Sequence, residues 1–296
     1  MPHISARDIK FFYQQMGDGP DVVLIHGITG NLAVWMLSGL VQKLAKQFRV
    51  TAFDMRGHGY SDTPESNYTS FDMADDIRSI CEELKIDKVR LLGHSFGAVV
   101  SLHAAQKHPD LIDGVILSDP FIPALRKLQA DPRQWKGFTA YKANARTAGM
   151  FIDGNLWDLQ EMLEQAANLT GARKDLFVEK AGAASLERLV RLHGTTCGGD
   201  VAKVAGLTEE KIGEIQQQAV CLYGEFSPFL PMCQRLGEIM PNCSMDMIPK
   251  AQHFAFEENP AVFIDRVEKH FCDMTGLTPT APTRPVDERK NVMTDD

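Results

Sequence analysis

Several features that would indicate other classes of protein are missing from this 296-residue sequence. Basic residues are not in excess, since 31 Lys and Arg stand against 39 Asp and Glu, for a net charge of −8. Nucleic acid would be repelled by such a surface, so we expect no nucleic-acid partner. No apolar run approaches the about 20 residues of a membrane-spanning helix, and the first residues contain no apolar signal-peptide segment. These absences predict a cytoplasmic protein without a membrane partner.

The six cysteines offer neither a metal site nor a disulfide framework. None of them forms a Cys-x-x-Cys pair, and none lies at zinc-ligand spacing from a histidine. We therefore expect free thiols that pack as small apolar side chains in a reducing compartment. The cysteines therefore predict no metal site.

Short apolar segments alternate with helical patterns along most of the chain. Strand patterns occur at residues 9–15, 22–26, 50–54, 88–93, 114–118, 219–223 and 244–248. The run at 9–15 mixes apolar and polar residues, whereas the continuous apolar run at 22–26 is typical of a strand buried on both faces of a parallel sheet. Helical patterns occur at residues 33–47, 71–85, 95–107, 229–240 and 260–273. Repeated strand–helix units predict an α/β fold with a mostly parallel, doubly wound sheet.

The alternation stops between residues 121 and 218, where helical and loop patterns continue without another clear buried strand. This interval is too long for a loop in a compact domain, so it predicts a helical cap inserted over one edge of the sheet. Residues 1–120 and 219–276 then form the core that the cap interrupts. Residues 277–296 are rich in Thr, Pro and charge, and we expect a disordered tail there.

The strongest chemical signal is the Gly-His-Ser-Phe-Gly motif at residues 93–97. It lies where a predicted strand meets a predicted helix, which is the context that a nucleophile elbow requires. Strand and helix nearly collide at such a turn, so only small residues fit on either side of the serine. The motif predicts that Ser95 is a nucleophile held at the carboxyl edge of the sheet.

A serine hydroxyl is a poor nucleophile at neutral pH and needs a base. In this kind of triad the chain order is serine, acid, histidine, so the base should follow the last strand. His253 is in that position, between the strand at 244–248 and the final helix. His270 lies on that helix, and we expect it at the surface.

With these positions in place, the chain resembles the α/β-hydrolase superfamily, and within it the capped branch that needs no cofactor. The matching motifs are His26-Gly27, Asp-Met-Arg-Gly-His-Gly-Tyr-Ser-Asp at 54–62, the elbow at 93–97, and Gln252-His253-Phe254. The resemblance covers roughly residues 5–275. It implies an α/β-hydrolase fold, a serine nucleophile and no cofactor.

One departure from the family concerns the acid. The family usually carries it in a Gly-x-x-Asp turn after the strand beyond the cap, and here that turn ends in Ser227. A serine cannot stabilise an imidazolium by charge, so another group must orient His253. We favour Asp119, which ends the preceding strand at the same edge as Ser95, as in some members of the superfamily. Two alternatives stay open, namely Glu225 and a site without a carboxylate.

An acyl intermediate needs two preorganised hydrogen-bond donors for its oxyanion. The backbone N–H of Phe96, directly after the nucleophile, is one. The resemblance implies that the backbone N–H of Ile28 is the other. Residues beside these motifs and in the cap are candidates for the substrate pocket, namely His26, Phe121, Trp135, Tyr141, Arg146 and Phe254. For His26 we favour the alternative of a structural histidine beside the oxyanion hole.

The predicted cap is basic relative to the rest of the chain, which suggests a carboxylated substrate. The candidates for binding a carboxylate are Arg126, Lys127, Arg133, Lys136, Lys142, Arg146, Arg188, Arg191 and His193. Solvated helix faces are the alternative explanation for these side chains. An acid after the strand before the cap is also similar to the amide hydrolases of pyridine-ring catabolism, which act on small dicarboxylates.

The sequence therefore predicts a serine hydrolase, an esterase or amidase with a triad of Ser95, His253 and Asp119 that acts on a small molecule. A carbon–carbon bond hydrolase and a cofactor-free perhydrolase would use the same triad. A ligand-binding or receptor protein on a hydrolase scaffold is the alternative from another class, and its support is the unusual acid position. A monomer and a dimer both fit the sequence.

Overall fold

The computed structural model describes residues 2–129 and 158–283, and eight strands in these residues form one sheet. The strands are β1 (His3–Ala6), β2 (Ile9–Met16), β3 (Asp21–Ile25), β4 (Arg49–Phe53), β5 (Val89–His94), β6 (Ile112–Ser118), β7 (Gln218–Gly224) and β8 (Cys243–Ile248). Their order across the sheet is β1-β2-β4-β3-β5-β6-β7-β8, and only the pairings of β1 with β2 and of β2 with β4 are antiparallel. The predicted mostly parallel sheet is confirmed.

Helices cover both faces of this sheet. In the first part of the chain they are α1 (Ala33–Leu37), α2 (Leu40–Leu44), α3 (Ser70–Glu83), α4 (Phe96–Lys107) and a short 3-10 helix (Pro123–Leu128). Between β6 and β7 the described residues form α5 (Leu159–Ala167), α6 (Gly171–Ala181), α7 (Ala183–His193), α8 (Cys197–Asp200) and α9 (Glu209–Gly213). The last helices are α10 (Leu230–Ile239), α11 (Ala255–Glu258) and α12 (Pro260–Thr275).

The continuous apolar runs of the central strands serve two cores, one on each face of the sheet. In β3, Val23 and Ile25 join one apolar cluster, whereas Val22 and Leu24 join the other. Successive side chains of a strand point to opposite faces, so a strand buried on both faces must be apolar throughout. Helices α3, α4 and α10 contribute to the first cluster, and α1, α2 and α12 contribute to the second.

The first and last residues of each of the seven predicted strands lie within two positions of those of an observed strand. The edge strand β1 was not predicted, because its four residues are too few to show a pattern. The predicted helix at 33–47 is two short helices, since Gly39 adopts a left-handed conformation (φ +84°) that interrupts the helical hydrogen bonds.

The segment between β6 and β7, which the sequence predicts to be a helical cap, contains no strand among its described residues, 121–129 and 158–217. Leu163 of α5 and Leu189 and Leu192 of α7 belong to the same apolar cluster as the core. Arg191 on α7 donates weakly, at 3.4 Å, to the carbonyl oxygens of Gly57 and Gly59. Helix α7 therefore packs against the loop that follows β4, close to the carboxyl edge of the sheet.

The first residues of the predicted disordered tail, 277–283, make defined contacts with the core. Thr280 donates its hydroxyl to Glu268 at 2.6 Å, and the hydroxyl of Thr283 donates to Asp265 at 2.7 Å. Lys43 reaches the carbonyl oxygen of Ala281. Polar contacts to α12 thus hold residues 277–283, and the rest of the predicted tail lies outside the described residues. Among the helices of the described ranges, none has the length and apolarity needed to cross a membrane.

Candidate active site

Ser95 lies in a strained turn between β5 and α4, with φ +54° and ψ −119°. The glycines on either side are required sterically. A Cβ on Gly93 would collide with the carbonyl oxygen of Gly97, and a Cβ on Gly97 would lie 2.5 Å from the carbonyl oxygen of Ile25. A non-glycine residue held at positive φ is costly, and such strain is common at functional sites. The turn fixes the serine at the carboxyl edge of the sheet, where the sequence predicted it.

Asp119 and His253 meet at this same edge. Asp119 directly follows β6, and its backbone N–H donates to the carbonyl oxygen of Leu222 in β7 at 3.0 Å. His253 lies in the loop between β8 and α11. The Nδ1 atom of His253 lies 3.0 Å from Oδ1 of Asp119, and both side chains are buried. The structure thus brings together the acid that the sequence favoured and the predicted base.

Two further donors bind the Asp119 carboxylate. The hydroxyl of Ser227 donates to Oδ1 at 2.8 Å, and the backbone N–H of Gly224 donates to Oδ2 at 3.1 Å. Burial raises the pKa of Asp119 above its ordinary value, whereas the hydrogen bonds from His253, Ser227 and Gly224 act in the opposite direction. The contact of Ser227 was not predicted, although its place in the usual acid turn was a signal for it.

Glu225, the alternative acid, lies at the surface. Its carboxylate accepts a hydrogen bond from the backbone N–H of Lys250 at 2.9 Å. The side chain is exposed, whereas Asp119 is completely buried beside His253. This geometry favours Asp119 over Glu225 as the partner of the histidine.

His94 of the elbow supports His253 from the opposite side. Its Nε2 lies 2.9 Å from the carbonyl oxygen of His253, and the two ring centroids are 4.8 Å apart. Burial, and next the charge of His253, lower the pKa of His94 well below its ordinary value. A neutral imidazole facing a carbonyl must carry its proton on that nitrogen, so His94 donates to the loop that holds the base.

Ile28 and Phe96, the predicted oxyanion donors, both line the cavity that contains Ser95. The loop around Ile28 is fixed by hydrogen bonds. Gly30 N–H donates to the carbonyl oxygen of Gly27 at 3.0 Å, and Thr29 N–H donates to Nε2 of His58 at 3.0 Å. These contacts hold the backbone of the loop in one conformation next to the nucleophile.

His58 and His26 are buried, neutral supports of that loop. His58 Nδ1 lies 2.8 Å from the carbonyl oxygen of Arg56, and burial lowers its pKa to about 4. His26 Nδ1 lies 2.8 Å from the carbonyl oxygen of Gly27, and Nε2 accepts from Met55 N–H at 3.1 Å. Burial lowers the pKa of His26 to about 3. Both ring nitrogens face the backbone and the side chain is fully buried, so His26 has a structural place beside the loop and is not among the described residues that line the cavity.

The cavity at this edge has a volume of about 310 Å³, and its described wall is mainly apolar. Ser95 and His253 face it together with apolar side chains, among them Val34, Phe121, Leu159, Met162, Val201 and Phe254. Phe121 and Phe254 were predicted pocket residues. The other predicted pocket residues, Trp135, Tyr141 and Arg146, lie outside the described residues.

The charged side chains in the described wall of this cavity are acidic. Asp158 and Glu257 line it, and burial followed by the charge of Glu258 raises the pKa of Glu257. Five of the basic candidates lie in the described ranges, and none of these five lines the cavity, namely Arg126, Lys127, Arg188, Arg191 and His193. The remaining four lie between residues 130 and 157, outside those ranges. Residues 2–129 and 158–283 contain no cluster of side chains that could bind a metal ion.

Comparison with known proteins agrees with this geometry. The model of a protein family described as the alpha/beta hydrolase fold matches residues 20–260. Over 197 residues the chain is 35% identical to the 2-(acetamidomethylene)succinate hydrolase of Mesorhizobium japonicum, which covers 58% of this chain and 70% of that one. Over 252 residues it is 26% identical to the pimeloyl-(acyl-carrier protein) methyl ester esterase of Vibrio atlanticus, which covers 83% of this chain and 92% of that one.

A solved structure shows the same fold. The enol-lactonase from Burkholderia xenovorans LB400 superposes with a TM-score of 0.64 at 20% identity, over 93% of this chain and 100% of that one. The overall fold of this chain therefore occurs in a protein of distant sequence.

Proposed function

The chain belongs to the α/β-hydrolase family, and on that premise we propose that it is a serine hydrolase that cleaves an ester or amide bond of a small substrate. One observation carries the proposal. Ser95, in its strained turn, shares a cavity with His253, and the Nδ1 atom of His253 lies 3.0 Å from the buried Asp119 carboxylate. A nucleophile, a base and a group that orients the base are the parts that acyl transfer requires.

In the proposed reaction Ser95 Oγ attacks the substrate carbonyl carbon, and Nε2 of His253 takes the hydroxyl proton. Asp119 accepts the hydrogen bond from Nδ1–H, which leaves Nε2 free to act as the base and stabilises the imidazolium. The tetrahedral intermediate collapses when His253 returns the proton to the leaving alcohol or amine. A water molecule, deprotonated by His253, then attacks the acyl-enzyme and releases the acid and Ser95.

The negative charge of the tetrahedral intermediates falls on the former carbonyl oxygen. We assign the backbone N–H groups of Ile28 and Phe96 as its donors. Phe96 is the first residue of α4, so a developing anion there also meets the positive end of the helix dipole. This mechanism calls for no cofactor. A cytoplasmic location and a monomeric or dimeric state remain predictions.

The cavity supports an uncharged, largely apolar acyl group. Its described wall is apolar apart from the catalytic groups, Thr29, His94 and two carboxylates, and an anionic substrate would face Asp158 and Glu257 without a compensating cation among the described lining residues. A carboxylated substrate is the second candidate. It is favoured by the 35% identity to a hydrolase named for a succinate derivative and by the basic residues between 130 and 157.

Mass spectrometry after treatment with a fluorophosphonate tests the nucleophile. We expect one phosphonyl adduct on Ser95, formed with loss of fluoride, and no adduct on Ser95→Ala, which should also lose turnover. A folded wild-type protein that stays unmodified, or a Ser95→Ala variant with wild-type rates, would refute the mechanism. The unmodified protein would instead favour a ligand-binding protein on this fold.

Two esters with one leaving group separate the substrate candidates. p-Nitrophenyl butyrate has a neutral acyl chain, and p-nitrophenyl hydrogen succinate has a carboxylate at the end of a chain of similar length. We expect a higher kcat/KM for the butyrate, because the acidic wall repels the succinate. A preference for the succinate would instead assign the cavity to carboxylated substrates.

A further inference from the structure

Ser227 and His253 bind the same oxygen atom. The hydroxyl of Ser227 lies 2.8 Å from Oδ1 of Asp119, and Nδ1 of His253 lies 3.0 Å from that oxygen. We propose that Ser227 is a positioning residue that holds Asp119 against His253. This inference rests on the proposed function, because it concerns the same histidine.

The hydroxyl of Ser227 is oriented by its own neighbours. Its Oγ accepts a hydrogen bond from the backbone N–H of Phe229 at 3.0 Å, so its proton is left to point at Asp119. The Phe229 ring packs edge-on against His253, with the ring centroids 5.4 Å apart. The turn at 227–229 therefore contacts both the acid and the base, and its serine is buried.

Three donors fix the Asp119 carboxylate. Oδ1 accepts hydrogen bonds from His253 and Ser227, and Oδ2 accepts one from the backbone N–H of Gly224 at 3.1 Å. The site is completely buried, so water cannot replace a lost donor easily, and a hydrogen bond to a charged group is among the stronger ones. Without Ser227 the carboxylate keeps one donor on each oxygen and gains freedom to rotate away from Nδ1.

The strand register explains why Ser227 meets Asp119. Strands β6 and β7 are adjacent and parallel, with Ser118 paired to Leu222, so both strands leave the sheet at one edge. Ser227 lies in the turn that follows β7, and its Oγ contacts the oxygen atom that contacts His253. A neutral hydroxyl at this position donates to Asp119 without placing a second negative charge beside it.

The first experiment removes the hydroxyl. We expect Ser227→Ala to lower kcat on p-nitrophenyl butyrate by about 10- to 100-fold, the range for one hydrogen bond to a buried charged group. KM should stay within about twofold, because Ser227 does not line the cavity among the described residues. The rate of fluorophosphonate labelling at Ser95 should fall with kcat. Loss of the fold would lower the fraction of labelled protein and leave the rate of the labelled fraction unchanged.

The second experiment removes the acid. Asp119 has φ +50°, which glycine adopts without strain, so Asp119→Gly removes the carboxylate and leaves the turn intact. We expect this variant to lose about 10³- to 10⁴-fold in kcat, as for other triads that lose their acid. Adding Ser227→Ala to this variant should lower kcat no further, because Ser227 acts through Asp119.

The outcomes separate this inference from the proposed function. If the wild-type protein neither hydrolyses the ester nor reacts with the fluorophosphonate, the proposed function fails. If the wild type does both while Ser227→Ala keeps kcat within twofold, Ser227 is not a positioning residue. If Ser227→Ala lowers kcat as much in the Asp119→Gly variant as in the wild type, Ser227 does not act through Asp119.

Discussion

His58 connects the loop of the proposed oxyanion hole to the stability of the protein, and replacing it should change how stability depends on pH. Its Nε2 accepts from Thr29 N–H at 3.0 Å, and its Nδ1 lies 2.8 Å from the carbonyl oxygen of Arg56. Only the neutral imidazole satisfies both contacts, because protonation would direct a second N–H at the N–H of Thr29. Glutamine at this position cannot titrate and retains an acceptor for Thr29.

The lowered pKa of His58 sets the expected size of its effect on the free energy of unfolding. Burial sets the pKa of His58 at about 4 in the folded protein, against an ordinary value of 6.5. Between these values the unfolded chain binds a proton that the folded protein does not, so the wild type loses stability as pH falls below 6.5. Each pH unit costs about 1.4 kcal/mol, which gives about 2 kcal/mol at pH 5.0 and almost nothing at pH 7.5.

Urea unfolding of the wild type and His58→Gln at pH 7.5 and pH 5.0 measures this difference. The variant should be less stable at pH 7.5, and its deficit in the free energy of unfolding should shrink by about 2 kcal/mol at pH 5.0. His193→Gln is the matched control, because His193 is exposed on α7. Equal deficits for His58→Gln at the two pH values would show that His58 is not held neutral by burial.

Two further predictions concern the carboxylates. Asp119→Asn should lower kcat by about 10³- to 10⁴-fold. Its unfolding temperature should be unchanged or raised, because burial raises the pKa of Asp119 and makes its charged form costly. Glu225→Gln should retain wild-type rates, and the reverse pattern would make Glu225 the acid. Glu257→Gln should raise kcat/KM for p-nitrophenyl hydrogen succinate several-fold relative to the butyrate ester, because it removes a negative charge from the cavity wall; an unchanged ratio would show that Glu257 does not act on the acyl group.

The features that the sequence predicted well depend on local chemistry. The buried strands are continuous apolar runs, and the turn at 93–97 needs glycines because strand and helix nearly touch there. The loop after the last strand had to carry His253 once the chain order of the triad was known. The strands and the turn need only the few residues around them, whereas the position of His253 also required the chain order of the triad.

The features that were missed depend on which strands are neighbours. Asp119 and Ser227 are 108 residues apart and meet only because β6 and β7 are adjacent. His26 follows a strand that points at the site, which made a pocket position reasonable, yet its ring turns inward to the N–H of Met55. The ends of two strands and the rotation of one side chain are set by tertiary packing, which no local pattern encodes.

The surroundings of the four histidines at this edge fit the proposed mechanism, in which one of them transfers protons. His26, His58 and His94 each have a ring nitrogen within 3 Å of a backbone carbonyl oxygen, and burial lowers the pKa of all three. Each is therefore fixed as a neutral support. His253 is the one of the four that contacts a carboxylate, that of Asp119, among the described residues. In the proposed mechanism the proton of Ser95 passes to His253, and the three neutral histidines that shape the site stay uncharged.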